Sequence, residues 1–212
     1  MTTASHTARI FCIGQNYVAH IRELGNPMPQ APVIFMRPLS CLVAPGEAVH
    51  FPRHGKELHY EVEVVVRIGK AGRDIDESNA LAHIDALTLG ADLTLRDLQI
   101  AAKKDGLPWD QAKAFEQSAP LGEFLAYDPL TIDLDDLDFR CRINGELRQD
   151  GNTSDMLFGF RRLIAELSSV WTLRPGDMIY SGTPSGVGPL QVGDSIEVEN
   201  HQIGTFSWMI VG

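Results

Sequence analysis

The sequence predicts a β-rich α+β fold with a few short helices, on three observations. Glycine, proline and Asn-Gly breaks leave stretches that suit strands more often than helices. Only four segments space their apolar residues as a helix would. The last third of the chain consists of short apolar runs separated by Arg174-Pro175-Gly176-Asp177, Val192-Gly193-Asp194 and His201-Gln202-Ile203-Gly204. With 212 residues, 44% of them hydrophobic, the chain can bury one substantial core, so residues 1–212 are expected to form a single domain.

Residues 8–14 read as a strand that stops at Gly14, and 16–24 carry a helical pattern through Tyr17, Ile21 and Leu24. Gly25, Pro27, Pro29 and Pro32 end that helix, because proline lacks the amide proton and fixes φ. Residues 33–36 form a strand, Ala44-Pro45-Gly46-Glu47 a turn, and 61–68 a strand closed by Gly69 and Gly72. Residues 76–86 are predicted helical and 88–93 extended. Thr94 with Asp97 resembles a capping pair opening a helix over 95–104, which Asp105-Gly106 ends, so Asp92 falls at a strand-to-helix junction. Residues 140–143 and 146–148 make a hairpin around Asn144-Gly145, a pair that tolerates the positive φ of a two-residue turn. Ser154 reads as the cap of an amphipathic helix with Met156, Leu157, Phe160, Leu163, Ile164 and Leu167 on one stripe.

Composition narrows the function. A net charge of -10, with no Lys/Arg cluster interleaved with aromatics, argues against a nucleic-acid partner. An anionic ligand would need a metal or a few locally placed cations. The apolar stretches are too short and interrupted to cross a bilayer, and the N-terminus lacks a basic-then-apolar leader pattern, so a cytoplasmic protein without a membrane partner is expected. Cys12, Cys41 and Cys141 are far apart with no Cys-x-x-Cys, which suggests reduced, packed thiols rather than a disulfide or a zinc site.

Glu61 and Glu63 carry the strongest chemical signal. Strand alternation puts both on one face, opposite Tyr60, Val62, Val64 and Val66. Two carboxylates roughly 7 Å apart repel by about 2–3 kcal/mol at an effective dielectric near 20, a cost that either a divalent cation or solvent exposure would relieve. Patterning alone accepts both. Asp92 adds a third carboxylate at its junction, and His20 with Glu23 forms an i,i+3 pair that on most short helices is a weak surface contact. Lys113 has Asp110 and Glu116 as ordinary surface partners. The glycine-rich run 182–188 lacks the Gly-Lys-Ser/Thr and the following helix of a nucleotide-binding loop.

Taken together and in order, these residues resemble the fumarylacetoacetate hydrolase family, specifically its short members similar to acylpyruvate hydrolases and oxaloacetate decarboxylases. The matching stretches are Gly14-Gln15-Asn16-Tyr17 with His20 and Glu23, His59-Tyr60-Glu61-Val62-Glu63, and Asp92 through Gln99. Gly106-Leu107-Pro108-Trp109 with Lys113, Asn144-Gly145-Glu146, and Ser181-Gly182-Thr183-Pro184 with Gly186-Val187-Gly188-Pro189 complete them. The resemblance implies a mixed β-sandwich roll, usually a homodimer, with Mg²⁺ or Mn²⁺ held by Glu61, Glu63 and Asp92; three hard oxygen ligands suit such a cation better than zinc. His59, on the glutamate face by alternation, is either a partner of a ligand or a packed histidine.

The implied substrates are 2-oxo acids bearing a second carbonyl or carboxylate. The expected activity is hydrolysis of the C–C bond of acylpyruvates such as acetylpyruvate or fumarylpyruvate through a metal-bound pyruvate enolate. The same enolate serves oxaloacetate decarboxylation or keto–enol tautomerisation, and a 2-hydroxyhepta-2,4-diene-1,7-dioate isomerase or decarboxylase of aromatic catabolism shares the metal triad. A non-catalytic dicarboxylate-binding protein is the alternative from another class. By resemblance His20, oriented by Glu23, is the general base, Lys113 polarises the substrate oxygen or protonates the enolate, and Gln99, Arg22, Arg37 and Thr183 contact substrate. Many relatives carry Lys where this chain has Arg37, a change from a point charge to a bidentate donor. Residues 15–32 are expected to act as a mobile lid that brings His20 and Glu23 over the metal.

Overall fold

Residues 8–212 are described by the structure, a computed structural model, and they build the expected β-rich fold. The stretch 1–7, read above as lacking a leader pattern, lies outside the described residues. In chain order, β1 (Ile10–Gly14) leads into α1 (Val18–Glu23) and β2 (Val33–Arg37); β3 (Leu42–Val43), β4 (Ala48–His50) and β5 (Leu58–Tyr60) precede the long strands β6 (Val62–Ile68) and β7 (Ile84–Ala91). Next come β8 (Thr94–Leu95), α2 (Arg96–Asp105), α3 (Asp110–Lys113), β9 (Ala119–Pro120), β10 (Leu125–Ala126), β11 (Asp138–Ile143) and β12 (Glu146–Asn152). The last elements are α4 (Phe160–Val170), β13 (Met178–Tyr180), β14 (Gly188–Pro189), β15 (Ser195–Asn200) and β16 (Gly204–Val211). Among the described residues no helix is long and apolar enough to cross a membrane.

Two sheets face each other. One has six strands in the order β10-β7-β6-β13-β1-β2, and the other has five in the order β12-β11-β15-β16-β4. The β-branched run of β6 lies in the middle of the first sheet, antiparallel to β7 on one side and to β13 on the other. Its even residues Val62, Val64 and Val66 enter the core between the sheets, with Phe139, Val198 and Trp208 of the facing sheet. Its odd side belongs to a second, smaller apolar cluster with Cys12, Cys41, Val65 and Tyr180. That second face carries the acidic residues. All three cysteines are buried and free, as expected.

Asn144 and Gly145 take φ of 54° and 80°, which gives the predicted tight hairpin between β11 and β12. Three local expectations are corrected. The segment 76–86 is a 3₁₀ run over Glu77–His83, after which β7 starts at Ile84, four residues before the expected strand at 88. Thr94 and Asp97 do not cap α2: the Thr94 hydroxyl donates to the Asp92 carbonyl at 3.1 Å, and Asp97 accepts from the Lys56 backbone at 3.0 Å. Ser154 does not open α4 either, because its N–H is taken by the Asn152 side chain and the N–H groups of Leu157 and Phe158 by Asn16. Those distant acceptors hold 154–158 out of a helix, so α4 starts at Phe160 and still buries Phe160, Leu163, Ile164 and Leu167 as predicted.

Candidate metal centre and active site

Glu61 occupies the break between β5 and β6, Glu63 lies on β6, and Asp92 follows the end of β7. Pairing of Val62 with Ala91 and Glu63 with Gly90, and an Asp92 N–H bond to the Glu61 carbonyl at 2.8 Å, bring the three together. All three are buried, and one oxygen from each lies within 4.8 Å of the others. The solvent-exposed alternative for the glutamate face is thereby overturned, because β6 is an interior strand whose second face is covered. Hard carboxylate oxygens at this spacing fit a divalent cation such as Mg²⁺ or Mn²⁺.

Three cations ring the triad. The Lys113 ammonium lies 2.8 Å from Glu61 and 2.9 Å from Asp92. Arg96 bonds Glu61 with one nitrogen and the Gln99 side-chain oxygen, at 2.5 Å, with the other. Arg37 bonds Asp92 and the Ser118 carbonyl, and reaches the Leu93 carbonyl at 3.1 Å. Burial would raise the Glu61 carboxyl, but Lys113 and Arg96 outweigh it and hold Glu61 below the ordinary carboxylate range. Glu63 has no such ion pair among the described residues; burial, then the Asp92 charge, push it well up, against a 2.8 Å bond from the Gly182 N–H.

His20 is buried on α1, near enough to Glu61 to lower its carboxyl. Its Nδ1 meets a Glu23 oxygen at 2.9 Å, and the other Glu23 oxygen accepts the Gly186 N–H at 2.9 Å. A carboxylate partner favours the tautomer with the proton on Nδ1 and leaves Nε2 as an acceptor. The second Glu23 bond ties residues 15–32 to the glycine-rich run. Gly182 and Gly186 take φ of 100° and 97°, and a Cβ on Gly182 would stand 2.7 Å from the Asn16 Cβ, so these turns need glycine.

The remaining expected residues separate by position. Gln99 is buried against Arg96, and Thr183 is buried with its hydroxyl accepting from Gln149 at 2.8 Å. Lys113 is not a surface partner of Asp110 or Glu116. Arg37 lies behind Asp92 with a fully covered side chain, so the expected substrate contact becomes a contact with a ligand residue. Arg22 is exposed on α1, whose inward face is taken by His20 and Ile21. Among the described residues His59 Nδ1 has no hydrogen-bond partner, and burial, then Arg96, lower the imidazole pKa to about 4.

Sequence reasoning passed over Arg96 and Gln149. Arg96 stands three residues before Gln99 at the start of the helix after Asp92, which was the available signal. Gln149, on β12, bonds the Val62 N–H at 3.0 Å and the Pro184 carbonyl at 2.9 Å, joining elements distant in sequence that no local pattern reveals.

A buried three-carboxylate cluster that fits a divalent metal site, together with a histidine–glutamate pair on a two-sheet β-rich fold, is the arrangement of an enzyme acting on small molecules. Residues 9–211 match the family model described as fumarylacetoacetate hydrolase C-terminal, and the chain belongs to that family. It is 42% identical over 188 residues to a mitochondrial oxaloacetate tautomerase of Arabidopsis thaliana, covering 89% of this chain and 84% of that protein. It is 39% identical over 200 residues to the oxaloacetate tautomerase of Escherichia coli, with 93% and 91% covered. The crystal structure of fumarylpyruvate hydrolase from Pseudomonas aeruginosa in complex with Mn²⁺ and pyruvate superposes with a TM-score of 0.90 at 32% identity, covering 99% of this chain and 93% of that one.

Proposed function

We propose that the protein interconverts keto and enol forms of a 2-oxo acid, with oxaloacetate as the first substrate to test. The observations that support the reading are the buried triad of Glu61, Glu63 and Asp92, and the His20–Glu23 pair, whose imidazole is near enough to act on the Glu61 carboxyl. The names of the two tautomerase relatives support the choice of oxaloacetate. A divalent cation held by the triad would supply Lewis-acid polarisation of a 2-oxo acid through its C1 carboxylate and C2 oxygen.

The chain's own groups then move protons. His20 Nε2 takes the proton from C3 of the keto form, and Glu23 stabilises the imidazolium through Nδ1. Lys113 gives a proton to the C2 oxygen, so one proton leaves carbon and one arrives on oxygen, and the product is the enol. Gln99, held by Arg96, and Thr183 orient the substrate. Residues 15–32 close over the site through the Glu23–Gly186 bond, and limited proteolysis within 20–32 should slow when oxalate is added.

A second reading is favoured by the Mn²⁺ and pyruvate named for the fumarylpyruvate hydrolase structure. There His20 would take a proton from water as it attacks C4 of an acylpyruvate, with C3–C4 cleavage releasing pyruvate. A panel of enol and keto oxaloacetate, acetylpyruvate, fumarylpyruvate and a dienedioate, with Mg²⁺ or Mn²⁺ and with chelator, decides between them. Metal-dependent decay of enol oxaloacetate is expected; faster acylpyruvate cleavage would move the second reading to first place, and no turnover of any member would refute both.

A further inference from the structure

Lys103 stands beside the site, yet the proton transfers above make no use of it. It lies on α2 four residues after Gln99 and seven after Arg96, so the three side chains share one face of the helix. Arg96 and Gln99 end in the buried cluster at Glu61. The Lys103 ammonium, half-buried, sits 5.1 Å from the centre of the Trp109 ring. Among the described residues it has no ion pair, whereas Lys104, one position on, is exposed.

The site's other cations are committed. Arg37 bonds Asp92, Arg96 bonds Glu61, and Lys113 bonds both. Burial, then Arg96, disfavour the charge on Lys103, while the Glu61 carboxylate favours it, which places the ammonium within the field of the site. The stem is braced on Trp109, and a flexible ammonium of this kind contacts a carboxylate as a point charge. A 2-oxo monocarboxylate brings no second anionic group for it. A 2-oxo dicarboxylate does.

We propose that Lys103 is a specificity-determining residue that binds the far carboxylate of the substrate and so selects 2-oxo dicarboxylates over 2-oxo monocarboxylates. The inference rests on the proposed site, with the metal-chelating end of the ligand at Glu61, Glu63 and Asp92. Its test is a binding measurement that needs no turnover. L-malate and L-lactate share a carboxylate–hydroxyl chelating end and differ by the far carboxylate, and oxalate has the chelating end alone. Their Kd values are measured by calorimetry on the Mn²⁺-loaded wild type, Lys103→Met and Lys103→Arg.

Wild type should bind malate at least about tenfold tighter than lactate, the weight of one hydrogen bond to a charged group. Lys103→Met should abolish that preference while leaving oxalate and lactate within about twofold, and Lys103→Arg should keep most of it. A malate preference that survives in Lys103→Met, or that is absent from wild type while oxalate binds, would overturn the role of Lys103 and leave the proposed function standing. Failure of oxalate itself to bind the Mn²⁺-loaded wild type would remove the proposed function, and this inference with it.

Discussion

Glu63→Gln should make the metal-free protein more stable and unable to gain stability from metal. Glu63 is the triad member without an arginine or lysine in ion-pair contact among the described residues, and it faces Asp92 in a fully covered site. At 4.8 Å, the limit of the oxygen separations, two carboxylates repel by about 3.5 kcal/mol at an effective dielectric of 20. The wild type escapes part of that cost by holding a proton on Glu63, whose carboxyl is pushed well up by burial and Asp92. Glutamine removes the charge and keeps an oxygen for the Gly182 N–H, so the 2.8 Å bond can survive.

The sign with pH follows from linkage. A folded-state pKa raised above the unfolded value of 4.5 contributes stability that is full below that value and is lost as pH rises toward the folded pKa. The advantage of Glu63→Gln should therefore be absent near pH 4.5 and grow above it, recovering about 1–3 kcal/mol of the Coulomb repulsion from Asp92 near pH 7.5. For a chain of this size that is roughly 3–10 °C in Tm. Calorimetric melting with EDTA, and again with Mn²⁺, reads both halves: the variant melts higher in EDTA, and only the wild type rises with Mn²⁺. A variant that melts lower in EDTA at pH 7.5, or that gains as much from Mn²⁺ as the wild type, would refute the reasoning.

His20→Ala should lower turnover by about 10²–10⁴-fold while Mn²⁺ affinity stays within a few fold, since the imidazole is not a ligand but the proposed base; unchanged turnover would favour a non-catalytic dicarboxylate-binding protein. Cys141, whose thiol burial pushes up to about 12, should resist iodoacetamide at pH 8.5 in the native state and react fully in urea. Because its folded pKa lies above the unfolded value of 9.0, its contribution to stability should fade from pH 9 toward 12, and Cys141→Ala should flatten that part of the pH–stability profile. Light scattering should give twice the 23.4 kDa chain mass, the homodimer expected from family resemblance, with the open edge of β2 and its partly exposed Ile34 and Met36 as a starting surface; a monomeric mass would end that expectation.

Period and punctuation made much of the fold legible. The valine alternation of β6, the Asn144-Gly145 turn, the glycine that ends α2 with φ of 65° and the apolar stripe of α4 are local features, each set by side-chain period or by a residue's allowed φ. The misplaced start of α4 has a different origin. Asn16 takes the amide protons of Leu157 and Phe158 across 141 and 142 residues of sequence, and no window of local spacing contains that competition.

The candidate site divides in the same way. Strand alternation marked Glu61 and Glu63 as a pair to be explained, while Asp92, His20, Glu23 and Lys113 stood out only through the family resemblance of their motifs, since each alone reads as an ordinary surface residue. Whether the glutamates were buried, which cation faced which acid, and that Arg22 is exposed while Arg37 stands behind Asp92 were decided by packing. The physical reason is the range of the interactions. Alternation and capping act over a few residues, whereas the balance of three carboxylates against Arg37, Arg96 and Lys113 exists only once β2, β6, α2 and α3 have been folded to within hydrogen-bond distance of one another.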